Sequence, residues 1–212
     1  MGTIKQGILG GFNGKVGTVI GASWKGTAYM RGIATHTKNP RTPKQIEQRT
    51  KMEFARNYLQ QAAEFINIGF KDVAKRQSPL NYAASQMMRD AIYGDYPDYS
   101  PIYSKLKWSH GLLTPPVVET VYANYDALDF LWVDNSGQGN AKADDISMVV
   151  VCSEEKQEIK YFMNGYTRST KSTHCELPES WVDDHVHIYI SMRSSDGKLI
   201  SNSHYCGEFL LE

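Results

Sequence analysis

Asp134-Asn135-Ser136-Gly137-Gln138-Gly139, followed by Asp145, sets oxygen donors at the first, third, fifth and twelfth places of a loop. The sixth place is a glycine, the order in which a helix-loop-helix calcium site arranges its ligands. Asp134, Ser136, Gln138 and Asp145 are therefore the candidate metal residues. The flanking segments have the pattern of strands rather than helices, so a polar loop between strands is the plainer reading. His174-Cys175 and His204-x-Cys206 could meet through strand pairing and offer two nitrogens and two sulfurs, a donor set that suits zinc. A cysteine inside a strand is more commonly a small buried apolar residue. Gly10-Gly11-Phe12-Asn13-Gly14-Lys15-Val16 invites a phosphate-loop reading, but the glycine spacing is too short. Val16 also stands where a hydroxyl must hold magnesium.

Catalysis requires a nucleophile beside a base, or paired carboxylates on a defined face. Neither pattern is present. Asp144-Asp145, Glu154-Glu155 and Asp183-Asp184 read as loop acids, and the expectation is a protein that is not an enzyme and needs no cofactor. What remains is a basic N-terminal part in which Lys5, Lys15, Lys25, Arg31, Lys38, Arg41 and Lys44 are interleaved with Phe12, Trp24 and Tyr29. Cations among stacking aromatics can hold a phosphate backbone and its bases. They can equally meet an acidic protein surface.

The elements that must position these residues fall into zones. Residues 1–38 hold 9 of the 17 glycines and alternate them with β-formers, predicting a Gly-rich basic β-ribbon with a hairpin turn at Lys25-Gly26-Thr27. Such a ribbon lacks side chains to pack and must lie on something else. Residues 39–95 form a helical segment, with 1–38 making one assembly unit with it. Thr42-Pro43 starts a helix whose apolar spacing continues to about Ile68, and Ser78-Pro79 starts a shorter one that ends by Gly94. Residues 96–109 read as a linker or edge strand. Residues 110–212 show short strands separated by Gly, Asn, Asp and Ser at the spacing of a β-sandwich. Strands are expected at 102–108, 117–122, 128–133, 146–152, 158–163, 173–177, 186–192 and 199–209, with Trp132 in the core. The fold class is thus α+β, a ribbon and helical hairpin followed by an immunoglobulin- or fibronectin III-like sandwich.

The chain has 212 residues and a formal net charge of zero, with 23 basic and 23 acidic side chains. That zero is a cancellation. Residues 1–77 carry 13 Lys and Arg against 4 Asp and Glu, a net +9, and the remainder carries −9. A split of this size points to charged partners or to contact between copies. A uniformly basic nucleic-acid coat is excluded. So is a bilayer span, for which no apolar run is long enough. No secretory signal is visible at the start, and three unclustered cysteines argue for a reducing compartment, so the protein is expected to be cytoplasmic when synthesised.

The strings from Gly7 to Gly21, Ser23-Trp24-Lys25-Gly26, Asn39-Pro40-Arg41-Thr42-Pro43-Lys44-Gln45, Trp132-Val133-Asp134-Asn135-Ser136-Gly137 and Asp196 to Ser203 resemble an uncharacterised family widespread in Bacteroidota. The resemblance covers essentially the whole chain and implies no activity. The segment from about residue 10 to 60 also resembles small structural proteins of bacteriophages and prophages, which implies a virion setting. The combined expectation is a structural or assembly protein. Its N-terminal ribbon and helices would contact other subunits or virion proteins, while the Ig-like domain docks or displays. The alternatives are binding of DNA through residues 1–77 and binding of a carbohydrate or other ligand by the sandwich.

Overall fold

The computed structural model describes residues 2–4, 7, 10–24, 27–34, 41–75 and 77–211. The chain divides into two compact units, Met1–Thr42 and Pro43–Glu212.

The first unit is a four-stranded antiparallel sheet, β1 (Thr3–Ile4), β2 (Phe12–Val16), β3 (Val19–Trp24) and β4 (Thr27–Gly32), in sequential order. The Gly17-Thr18 turn closes β2 on β3, with Val16 opposite Val19 and Gly17 at φ +57°, a left-handed conformation that glycine adopts without strain. Trp24 stands opposite Thr27, while Lys25 and Gly26, the expected turn, lie outside the described residues.

The second unit opens with three helices, α1 (Pro43–Gln60), α2 (Ala63–Gly69) and α3 (Pro79–Asp90). Ser78 starts α3 as its residue type predicts, its Oγ accepting from the Asn81 N–H at 3.3 Å with Pro79 in the first turn. The single helix expected to run to about Ile68 is in fact two. Ala62 leaves helical geometry (φ −113°, ψ 33°), and Gln61 is drawn to the neighbouring sheet. Its Nε2 donates to the Gln157 carbonyl at 3.0 Å, and its Oε1 accepts from the Ile159 N–H at 3.2 Å. These contacts override a locally unbroken helical pattern.

A short pair, β5 (Ile92–Tyr93) with β6 (Ser100–Pro101), leads into residues 102–108. The strand expected there is a 3-10 turn at Tyr103–Lys105 instead. Tyr103, Leu106 and Trp108 all turn into the core, a spacing that a strand cannot bury on one face.

Seven strands follow, β7 (Val117–Asn124), β8 (Ala127–Val133), β9 (Ile146–Ser153), β10 (Ile159–Phe162), β11 (Ser172–Glu176), β12 (His185–Arg193) and β13 (His204–Leu210). They form a sheet ordered β11-β8-β7 and another ordered β10-β9-β12-β13. The last strand begins at His204 rather than Leu199, since Ile200 and Ser201 make only single bridges to Arg193 and Leu113.

Two cores share the middle sheet. Val149 and Val151 of β9 and Val186, Ile188, Ile190 and Met192 of β12 pack with Leu128, Phe130 and Trp132 of β8. The intervening Met148, Val150, Cys152 and Tyr189 pack with Ala55, Leu59, Phe65, Ile66 and Met87 of the helices. Strands buried on both faces carry continuous apolar runs, and Val149-Val150-Val151 is one. The unit is therefore layered helix, sheet, sheet. Among the described residues, no helix is long and apolar enough to cross a membrane.

Candidate functional site

Strand register sorts the first unit's side chains onto two unlike faces. Lys15 pairs with Ile20 and Ile20 with Arg31, so all three point the same way. Period-two alternation adds Ala22 and Trp24 on β3, and Tyr29 beside Ala22 on β4. Four of the ten basic and aromatic candidates, Lys15, Trp24, Tyr29 and Arg31, thus share one face. Trp24 is 70% exposed and Tyr29 45%. Tyr29 is the diagonal neighbour of Trp24, roughly 7–8 Å away between strands. Arg41 precedes α1 and is exposed, and Lys44 belongs to the second unit. Lys5, Lys25 and Lys38 lie outside the described residues.

The opposite face carries Ile4, Phe12, Val16, Val19, Ala28 and Met30, and no charged side chain among the described residues. Met30 is 70% exposed, and Gly10, Gly11, Phe12, Ala28 and Met30 line a shallow groove of about 300 Å³ that Tyr29, whose side chain alternation assigns to the basic face, also borders. Residues 1–42 contain six Lys or Arg and no Asp or Glu, which gives this unit +6 and leaves −6 on the other.

The calcium-like loop is split between two arrangements. Asp134 accepts from the Ser136 N–H at 3.0 Å and from its hydroxyl, and these bonds hold its carboxyl below the usual range. Gln138 is exposed. Asp145 is fully buried and faces Arg168, itself fully buried. Arg168 Nε donates to Asp145 Oδ2 at 3.1 Å, and its NH2 lies 3.0 Å from the same oxygen. The guanidinium also donates to Asn135 Oδ1 and, at 2.9 Å, to the Thr114 carbonyl. A guanidinium thus supplies the positive charge beside Asp145. Arg168 was not legible as a partner, because 23 residues separate it from Asp145 and no local pattern marks it.

The His/Cys pairs do not meet. β11 and β13 belong to different sheets. His174 Nδ1 contacts Asp129 at 2.7 Å on the outer face, whereas Cys175 turns into the core between the sheets. Among the described residues no group of three or more His, Cys, Asp or Glu could hold a metal ion. His187 stacks on Tyr103 with ring centres 3.8 Å apart, and its Nδ1 lies 2.9 Å from the Tyr205 hydroxyl. Its role is to fill the seam below the helices.

Burial pushes the thiols of Cys152, Cys175 and Cys206 up to about 12. Since the thiolate is the reactive form, all three should resist a disulfide reagent at pH 8 in the folded protein and react once denaturant is added. Rapid labelling of Cys152 in the native state would contradict its place in the core.

The model of the Family of unknown function (DUF6266) matches residues 11–207. No curated protein matches the chain.

Proposed function

The chain belongs to the DUF6266 family, a membership that assigns no activity, and we propose that it is a non-enzymatic assembly protein whose N-terminal sheet packs against the same sheet of a second copy. The carrying observation is the uncharged face of Ile4, Phe12, Val16, Val19, Ala28 and Met30. A four-stranded sheet has no core until one face is covered. Two identical faces of this kind meet without like-charge repulsion, because Lys15 and Arg31 point away from the seam. The result is a two-layer arrangement with roughly 10 Å between sheets.

We read the seven C-terminal strands as a fibronectin III-like docking module. Numbered within the module, they run 5-2-1 in one sheet and 4-3-6-7 in the other, with Trp132 between the sheets. This favours display or docking over chemistry, although such folds host many functions. A virion or prophage setting is supported only by the resemblance of the segment from about residue 10 to 60.

Size-exclusion chromatography with light scattering, across protein concentration and salt, tests the pairing. The expected result is a dimer or larger species that Val16→Asp with Met30→Asp converts to monomer while the far-UV spectrum keeps its helical signal. A wild-type chain that stays monomeric at every concentration overturns the reading.

A further inference from the structure

The face that carries Lys15, Trp24, Tyr29 and Arg31 has a use that self-association leaves open. We propose that it is a stacking platform for single-stranded nucleic acid. The argument rests on geometry and charge together. Three strands place two cations in one row, with Ile20 between them, and two exposed aromatics further along the same side. Neighbouring strands lie about 4.8 Å apart, so Lys15 and Arg31 are separated by about 10 Å at the backbone. Their long side chains can follow a phosphate backbone while bases lie on the two rings. Bases stack on aromatic side chains without regard to sequence, because every base has a π-face.

Nothing in the unit repels such a ligand, since residues 1–42 contain no Asp or Glu. An acidic protein surface would satisfy the two cations but its carboxylates offer no flat π-face to stack on the exposed rings of Trp24 and Tyr29. A duplex would satisfy the cations too, but its bases are already stacked. Unpaired bases fit both halves of the surface.

The sheet also provides its own reporter. Trp108, Trp132 and Trp181 are buried in the second unit, which leaves Trp24 as the exposed indole. Base stacking on this face should quench Trp24 selectively.

The experiment uses the full-length chain and a labelled oligothymidine of about 12 nucleotides, within the range of small single-strand sites. Anisotropy and tryptophan emission are read at low salt and as salt is raised. The expected result is binding with quenching. Lys15→Gln with Arg31→Gln should weaken binding and reduce the log–log salt slope by about 1.4, from about 0.7 per phosphate contact. Trp24→Phe should abolish the quench while retaining most of the binding, and Trp24→Ala should lose about tenfold in affinity. An oligouridine arm separates RNA from DNA as the source, and either one binding with quenching supports the proposal. Absence of binding at low salt overturns it. So does equal binding of a duplex, or binding without quenching, since both mean charge alone. Binding that survives Lys15→Gln with Arg31→Gln unchanged also overturns it.

Discussion

Replacing Arg168 by alanine is expected to destabilise the second unit by about 3–5 kcal/mol, the cost of leaving a buried ion without its partner. The side chains of Arg168 and Asp145 are both fully buried. Asp145 Oδ1 has no hydrogen-bond partner, so the carboxylate depends on what reaches Oδ2. Without the guanidinium, the Lys142 N–H at 2.9 Å would be the remaining neighbour of that oxygen. The damage should spread along the chain, because the residue also holds separate segments together. Its side chain binds the Thr114 carbonyl and Asn135, and its own carbonyl accepts from Trp132 Nε1 at 2.9 Å. Trp132 should therefore report the loss through a shift in its emission.

The control is a double replacement, Arg168→Met with Asp145→Leu. Removing both charges should recover part of what the single change costs, since an ion pair replaced by apolar groups is often neutral or stabilising. Urea denaturation of the wild type and the variants measures all of this. A cost below about 1 kcal/mol for Arg168→Ala is the surface-pair value, and it would sink the claim that the pair is desolvated.

The second large effect is expected at the opposite side of the middle sheet. Trp108 is 0% exposed and sits between Tyr58 and Tyr189, with ring centres 6.5 and 5.9 Å from its own. Trp108→Ala should cost about 3–5 kcal/mol, the range for truncating a buried aromatic. Its site is also where helices and sheet share one core, so they should lose stability together. Helical ellipticity and tryptophan emission should then follow one denaturation curve in the wild type, and one shifted curve in the variant. Two separated transitions would show that the helices fold apart from the strands behind them. Gly69 shows how tight this seam is. An added Cβ there would come 2.3 Å from the Trp108 carbonyl oxygen, where backbone cannot yield cheaply.

Local signals were read where the physics is local. Ser78-Pro79 marks a helix start, because a hydroxyl cap and a missing N–H act within a few residues. The positions of β7, β8, β9 and β12 follow from apolar patterning between turn residues, and their ends differ from expectation by only one or two positions. The basic and aromatic composition of the N-terminal part was likewise visible. Its arrangement was not. The sorting of Lys15, Trp24, Tyr29 and Arg31 to one side depends on which residues pair across strands, and one step of register would reverse it.

The misreadings share a cause. Gln61-Ala62 contains no helix breaker, and the helix stops there because Gln61 bonds to residues 157 and 159. Residues 102–108 offer apolar residues between polar ones as a strand would, yet Tyr103, Leu106 and Trp108 all reach the same core, which a 3-10 turn allows and the two-residue period of a strand does not. The continuous apolar runs of β9 and β12 signalled burial on both faces, but nothing nearby in sequence named the helices as the second cover. The calcium-like spacing around Asp145 is a different case, where a polar loop is the plainer reading and spacing does not show which way a side chain turns.

By itself the sequence determined the α+β class, the order of the elements, the division of charge and the glycine-rich character of the first sheet. These follow from residue type and short-range periodicity. Only the tertiary structure decided that the middle sheet is covered on both sides, that Arg168 neutralises Asp145, and that cations and aromatics share one face while the other carries no charge among the described residues. Each of those depends on contacts between residues far apart along the chain.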